Sequence, residues 1–165
     1  MIKRFTVSAL ILLLGLVMVA CGESGSNEED EMDDLRAARD TTTAAVKGVT
    51  ATVLAELGGT AKPATANYGT CGTSPTEGLI YHEFVDWSDE ADTAALDQAR
   101  AAVEAEGWTL DPPSNTTVEV RNLRRDDLRL TLKLQRGVLT WSVTGICVRV
   151  SSEVANDLVG PYDPT

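Results

Sequence analysis

The chain has 165 residues, a formal charge of −11 and a single histidine, with 43% hydrophobic and 24% charged residues. That length suits one domain with a modest core, not two lobes closing on a cleft. An acidic total, with no Walker loop and no Gly-x-Gly-x-x-Gly, argues against nucleic-acid and nucleotide binding.

At the start of the chain Lys3 and Arg4 precede an uncharged run, Phe5 to Ala20, dominated by Leu, Val, Ala and Ile. A positive start, a short apolar stretch and small residues describe a secretory signal. A permanent crossing wants ~20 apolar residues, so the run is marginal as a membrane span. It stops at Cys21, and Met18-Val19-Ala20-Cys21 resembles the lipobox of bacterial lipoprotein signal peptides, with Met18 where Leu is commoner. The resemblance implies that residues 1–20 are a signal peptide, cut before a Cys21 whose sulfur carries a diacylglyceryl group. It also implies an extracytoplasmic protein, lipid-anchored to the bacterial cell membrane. Two acyl chains hold stably, because each buried methylene contributes ~0.8 kcal/mol. An uncleaved anchor, or an ordinary signal cut nearby, is the alternative.

With Cys21 taken by lipid, Cys71 and Cys147 remain. An even pair in an oxidising compartment points to a disulfide, against two buried free thiols. Their spacing fits no metal motif and no Cys-x-x-Cys redox pair. Loss of Lys3 and Arg4 with the leader takes the charge from −11 to −13.

Residues 21–30, with Gly, Ser and acids after the cysteine, are expected as a flexible acidic tether, since they bury too little to offset their ordering entropy. Residues 31–160 are expected as one domain and 161–165 as a tail. Met32, Leu35, Val46, Val49, Val53 and Leu57 fall on a helical period that ends at Gly58-Gly59, although Thr41 to Thr43 weaken it. Residues 58–78 read as a loop carrying Cys71. Residues 78–87 are aromatic and β-branched enough for a strand. Ser88 or Asp89 can cap a second helix with Leu96, Ala99 and Val103 on one face, ending at Gly107. Pro112-Pro113 breaks the chain before a strand at 116–123 and a turn from Arg124 to Asp127.

The clearest period follows. Leu128, Leu130, Leu132 and Leu134 alternate with Arg129, Thr131, Lys133 and Gln135, so the leucines share a core-facing side. Arg136-Gly137 turns the chain into Val138 to Val148, where Leu139, Trp141 and Val143 alternate with Thr140, Ser142 and Thr144 and Gly145 suits a bulge. The expected fold class is α+β: two helices packed on one face of a roughly four-stranded antiparallel sheet, in the order α-β-α-β-β-β, with one disulfide.

Chemistry-bearing residues are few. His82 and Asp86 would share a strand face, with Glu83 pointing away. They are the candidates for a small metal-assisted or acid–base envelope hydrolase, but a lone strand histidine is more often structural. Asp86, Asp89, Glu90 and Asp92 could supply oxygen ligands to calcium or magnesium, but acids near a helix start more often serve its dipole and cap. Trp87, Trp108 and Trp141 are expected to close the core. Asn115-Thr116-Thr117 is a formal glycosylation sequon, uninformative on a bacterial lipoprotein.

Charge is unevenly spread. Residues 22–40 hold eight acids against Arg36 and Arg39, whereas residues 117–150 hold seven bases against three acids. Arg129 and Lys133, with Arg121 or Arg125, are expected on the solvated sheet face as a basic strip for an anionic envelope polymer, lipid headgroups or a protein partner. Cationic side chains that merely solvate the sheet are the plainer alternative. A third is that acidic residues 28–34 fold back on the strip. The lipobox, the α+β outline and the late cysteine loosely resemble small uncharacterised lipoproteins of high-GC Gram-positive bacteria. The expected function is thus a membrane-anchored, non-catalytic binding module of the cell envelope, with no cofactor, no metal and no nucleic-acid partner.

Overall fold

The structure is a computed structural model that describes residues 28–72, 78–111 and 119–159. The expected leader, Cys21, Pro112-Pro113, the Asn115 sequon and the tail 161–165 lie outside the described residues.

The first helix, α1, spans Glu28–Leu57. Glu28, Glu29 and Asp30, expected in the tether, lie in its first turn, where the partial positive charge of the helix favours acids. The threonine stretch stays helical because packing holds it, with Thr42 fully buried against Gly145 and the Thr41 and Thr42 hydroxyls satisfied on the carbonyls of Ala37 and Ala38, at 2.9 and 2.8 Å. Gly58 and Gly59, both at φ 73°, stop the helix in a conformation that a Cβ would disfavour.

The remaining elements are β1 (Thr65–Thr70), β2 (Leu79–Asp86), α2 (Thr93–Ala105), β3 (Thr109–Leu110), β4 (Val120–Arg125), β5 (Leu128–Gln135), β6 (Val138–Val148) and α3 (Ser152–Leu158). The strands form one sheet in the order β1-β2-β6-β5-β4-β3, antiparallel at every pairing. This corrects the expected four-stranded, two-helix outline and its α-β-α-β-β-β order. The sheet has six strands, and three helices lie among the described residues.

Each missed element has a physical reason. The β1 segment, TANYGT, has little intrinsic strand preference and is held by its ladder to β2, from Thr65 opposite Phe84 to Thr70 opposite Leu79. β3 has only two residues, too short for any period. α3 has seven, and is defined by its Ser151 cap and by Glu31 of α1, whose carboxylate accepts from the Ser151 amide at 2.8 Å. The second helix starts later than expected because residues 87–91 stay bonded to neighbouring chain, with the Trp87 amide on Leu139 and the Ala91 amide on Gly137. Asp92, not Ser88 or Asp89, is the cap, accepting from the Ala95 amide at 2.9 Å. β4 runs through Arg125, so the turn shortens to Asp126-Asp127.

The alternating leucines behave as their period requires. Leu130 and Leu132, with Leu139, Trp141 and Val143 of β6, are fully buried beneath α1 and α2. Each such side chain contributes roughly 1.5–3 kcal/mol when fully buried. Trp141 sits at the centre, its indole N–H donating to Thr50 Oγ1 at 2.9 Å. Trp87 and Trp108 are also buried. A second cluster joins Leu35 and Ala38 of α1 to Tyr68, Leu79, Tyr81, Val148 and α3.

The two clusters meet where α1 crosses β6. The pairing of β2 with β6 shifts register between Ile80 and His82, so Gly145 lies in a bulge. A Cβ on Gly145 would collide with Thr42 Oγ1. Gly145→Ala is therefore expected to destabilise the fold by about 1–3 kcal/mol, and Thr42→Ala in the same chain to restore part of that loss. Denaturant titration of the single and double variants checks the coupling, and strict additivity would refute the contact.

Cys71 and Cys147 form the expected disulfide, with Cα atoms 5.9 Å apart, joining the end of β1 to β6 across a separation of 76 residues. In the chain-entropy account a loop of that size stabilises by about 4–5 kcal/mol. Replacing both cysteines with serine should lower the unfolding free energy by several kcal/mol, read as a fall in denaturant midpoint. An unchanged midpoint would contradict it.

Candidate functional site

Strand parity gives the two sides of the sheet opposite characters. α1 and α2 cover the side that carries the leucines, while the other side carries no helix among the described residues. Pairing registers arrange the open side into rungs. One rung crosses all six strands: Asn67, His82, Thr144, Arg129, Arg124 and Thr109. The next holds Thr65, Phe84, Ser142, Thr131 and Asn122. A third holds Asp86, Thr140, Lys133 and Val120. Antiparallel partners point to the same side, so these residues present hydroxyl, amide, imidazole and guanidinium groups side by side.

Five residues of the first two rungs, His82, Thr144, Arg129, Thr131 and Asn122, line an open concavity of about 610 Å³, with Asp111 at its β3 end. Thr131 donates to Asn122 Oδ1 at 3.0 Å, and the Asn122 amide hydrogens have no partner among the described residues. His82 Nδ1 and Thr144 Oγ1 lie 3.0 Å apart. The imidazole leans over β1, where a Cβ on Gly69 would stand only 3.0 Å from Nε2.

Arg124 and Arg129 face each other directly across β4 and β5. Like charges so placed cost roughly 0.2–1 kcal/mol relative to neutral partners. Asp111 relieves part of this, its Oδ1 lying 3.1 Å from Arg124 Nε. Arg129 and Lys133 have no acidic partner among the described residues.

The expected basic strip is thus half present. Arg129 and Lys133 project from the open side, but Arg121 and Arg125 do not. Both share the parity of buried Leu123 and so face the helices. Arg121 donates to Asp97 of α2 at 2.9 Å, and the Arg125 guanidinium sits 4.6 Å over the Trp108 ring. Arg124 takes the open-face place that Arg121 or Arg125 was expected to fill. Acidic residues 28–34 belong to α1, on the opposite side of the sheet, and do not cover the strip.

His82 and Asp86 do share the open side, as their spacing requires, and Glu83 turns inward to accept from Thr43 at 2.8 Å. The structure does not make a dyad of them. About 13 Å of strand separates them, Phe84 stands between with its ring stacked 6.2 Å from the imidazole, and Asp86 is engaged by Thr140 and Lys62. Among the described residues no group of three His, Cys, Asp or Glu is placed to hold a metal ion. Asn122, Thr131, Thr144 and Arg124 carry no motif, and only the register that aligns them reveals them.

The chain matches no family model and no curated protein. Among solved structures it is similar to a DUF4853 family protein from Actinomyces odontolyticus, at 16% sequence identity and a TM-score of 0.42. That match covers 78% of this chain and 71% of the other.

Burial lowers the His82 pKa below the ordinary imidazole value of 6.5. The unfolded chain then takes up a proton at higher pH than the folded one, so stability falls as pH drops from about 6.5 through the lower folded value. The single histidine makes this direct to measure by NMR. Its titration midpoint should lie below 6.5, and His82→Asn should reduce the loss of stability between about pH 7 and pH 5. A midpoint at or above 6.5 would overturn the burial argument.

Proposed function

We propose that the protein is a lipid-anchored, extracytoplasmic binding module of the bacterial cell envelope that uses the open side of its sheet to hold an anionic envelope polymer. The observation that carries this is the pair Arg129 and Lys133, exposed on the open side of the sheet of an acidic protein and without acidic partners among the described residues. Cations on an open polar face raise the local concentration of anions, while the acidic remainder repels them from the rest of the surface. The short apolar run ending at Met18-Val19-Ala20-Cys21 supports the anchor, since lipid on Cys21 would keep this face near the membrane. The Cys71–Cys147 bond suits an oxidising compartment.

Arg129→Glu with Lys133→Glu tests the surface. Capture of envelope polymer by the intact protein should fall by about tenfold or more, equivalent to ~1.4 kcal/mol, and wild-type capture should weaken as salt rises. Undiminished capture by a correctly folded variant would dismiss the strip. Mass spectrometry of native protein with an unmodified Cys21 would dismiss the anchor.

A further inference from the structure

Resting on that open-face function, a narrower site can be placed within it. We infer that Arg129, Arg124, Asn122, Thr131 and Thr144 form a binding site for a polyol phosphodiester, the guanidinium pair taking the phosphate and the amide–hydroxyl row taking the polyol.

The charge count favours a monoanion. Arg124 is shared with Asp111 at 3.1 Å, so the three groups leave one net positive charge, centred on Arg129. A dianion would also meet the Asp111 carboxylate within the same concavity. Shape then favours phosphate over carboxylate. Arg124 and Arg129 come from adjacent strands at directly opposed positions, so one guanidinium approaches from each side. A tetrahedral phosphodiester spreads two non-bridging oxygens to meet both, whereas a planar carboxylate is satisfied by a single guanidinium fork.

A bridging anion also removes the repulsion between the two arginines, which gives the pairing a use that solvation alone does not. Beside the pair, Thr144 in the same rung and Thr131 and Asn122 one rung away offer both donors and acceptors. Alcohol groups need that mixture, and a bare anion does not. The shared chemistry fits a polyol-phosphate chain or the headgroup of phosphatidylglycerol.

Calorimetric titration of the full-length protein in detergent micelles tests it, with four probes at low salt: glycerophosphoglycerol, dimethyl phosphate, glycerol 3-phosphate and glycerol. Glycerophosphoglycerol should bind several-fold more tightly than dimethyl phosphate, which lacks hydroxyls, and more tightly than dianionic glycerol 3-phosphate. Glycerol should not bind. Arg129→Gln should weaken the diester about tenfold, and Asn122→Ala should narrow its advantage over dimethyl phosphate, with circular dichroism confirming both folds. Equal binding by Arg129→Gln, or no preference for the hydroxylated diester, would overturn the site. Salt-sensitive polymer capture without diester binding would sink this inference and leave the broader function standing. Sedimentation with phosphatidylglycerol–phosphatidylcholine vesicles identifies the source: an Arg129-dependent gain over phosphatidylcholine alone assigns the headgroup, and no gain alongside diester binding assigns the polymer.

Discussion

A thirty-residue helix lies flush on β6 only because that strand presents no side chain at the crossing. Gly145 supplies the gap and Thr42 fills it, its hydroxyl already bonded to Ala38 so that nothing polar is left unsatisfied at full burial. On either side of this crossing lie the two apolar clusters, one under the C-terminal half of α1 with α2, the other under its N-terminal half with α3. α1 joins them. A helix held further off would leave Trp141 short of Thr50 and the Ser151 amide short of Glu31, contacts that tie β6 and the start of α3 to opposite halves of α1.

That packing also decides which side of the sheet is available. With α1 and α2 occupying the apolar side, most polar strand positions other than Glu83, Arg121 and Arg125 fall on the other, and antiparallel pairing aligns them rung by rung. Charge separates with the faces. Arg36 and Arg39 are engaged by neighbouring Asp33 and Asp40 on α1, while Arg129 and Lys133 stand on the open side without acidic partners among the described residues. The disulfide fastens the end of β1 to β6 across β2, with Cys71 at the edge of the same concavity.

Much of this architecture is legible residue by residue. The leucine alternation of β5 and the Leu-Trp-Val alternation of β6 declare their buried side, because a strand's period of two is a local property. Arg136-Gly137, at φ 53° and 78°, makes the tight turn its composition suggests, and Gly145 marks the bulge. The helix ends at Gly58 and Gly107 are equally local, both glycines sitting at positive φ. By contrast, TANYGT carries no strand pattern of its own, and Arg121, Arg124 and Arg125 are chemically alike. Only the pairing of β4 with β5 places one on the open face and two against the helices.

The sequence by itself determined the C-terminal end of α1, the inward side of the two longest strands, the turn between them and the cysteine pair. Each depends on backbone preference, side-chain period or residue count. The tertiary structure alone decided the six-strand order, the existence of β1, β3 and α3, and the rung that sets His82, Thr144, Arg129 and Arg124 in line. Those features come from hydrogen bonds and burial between segments tens of residues apart. No short window of sequence contains both partners of such an interaction, so none can show it.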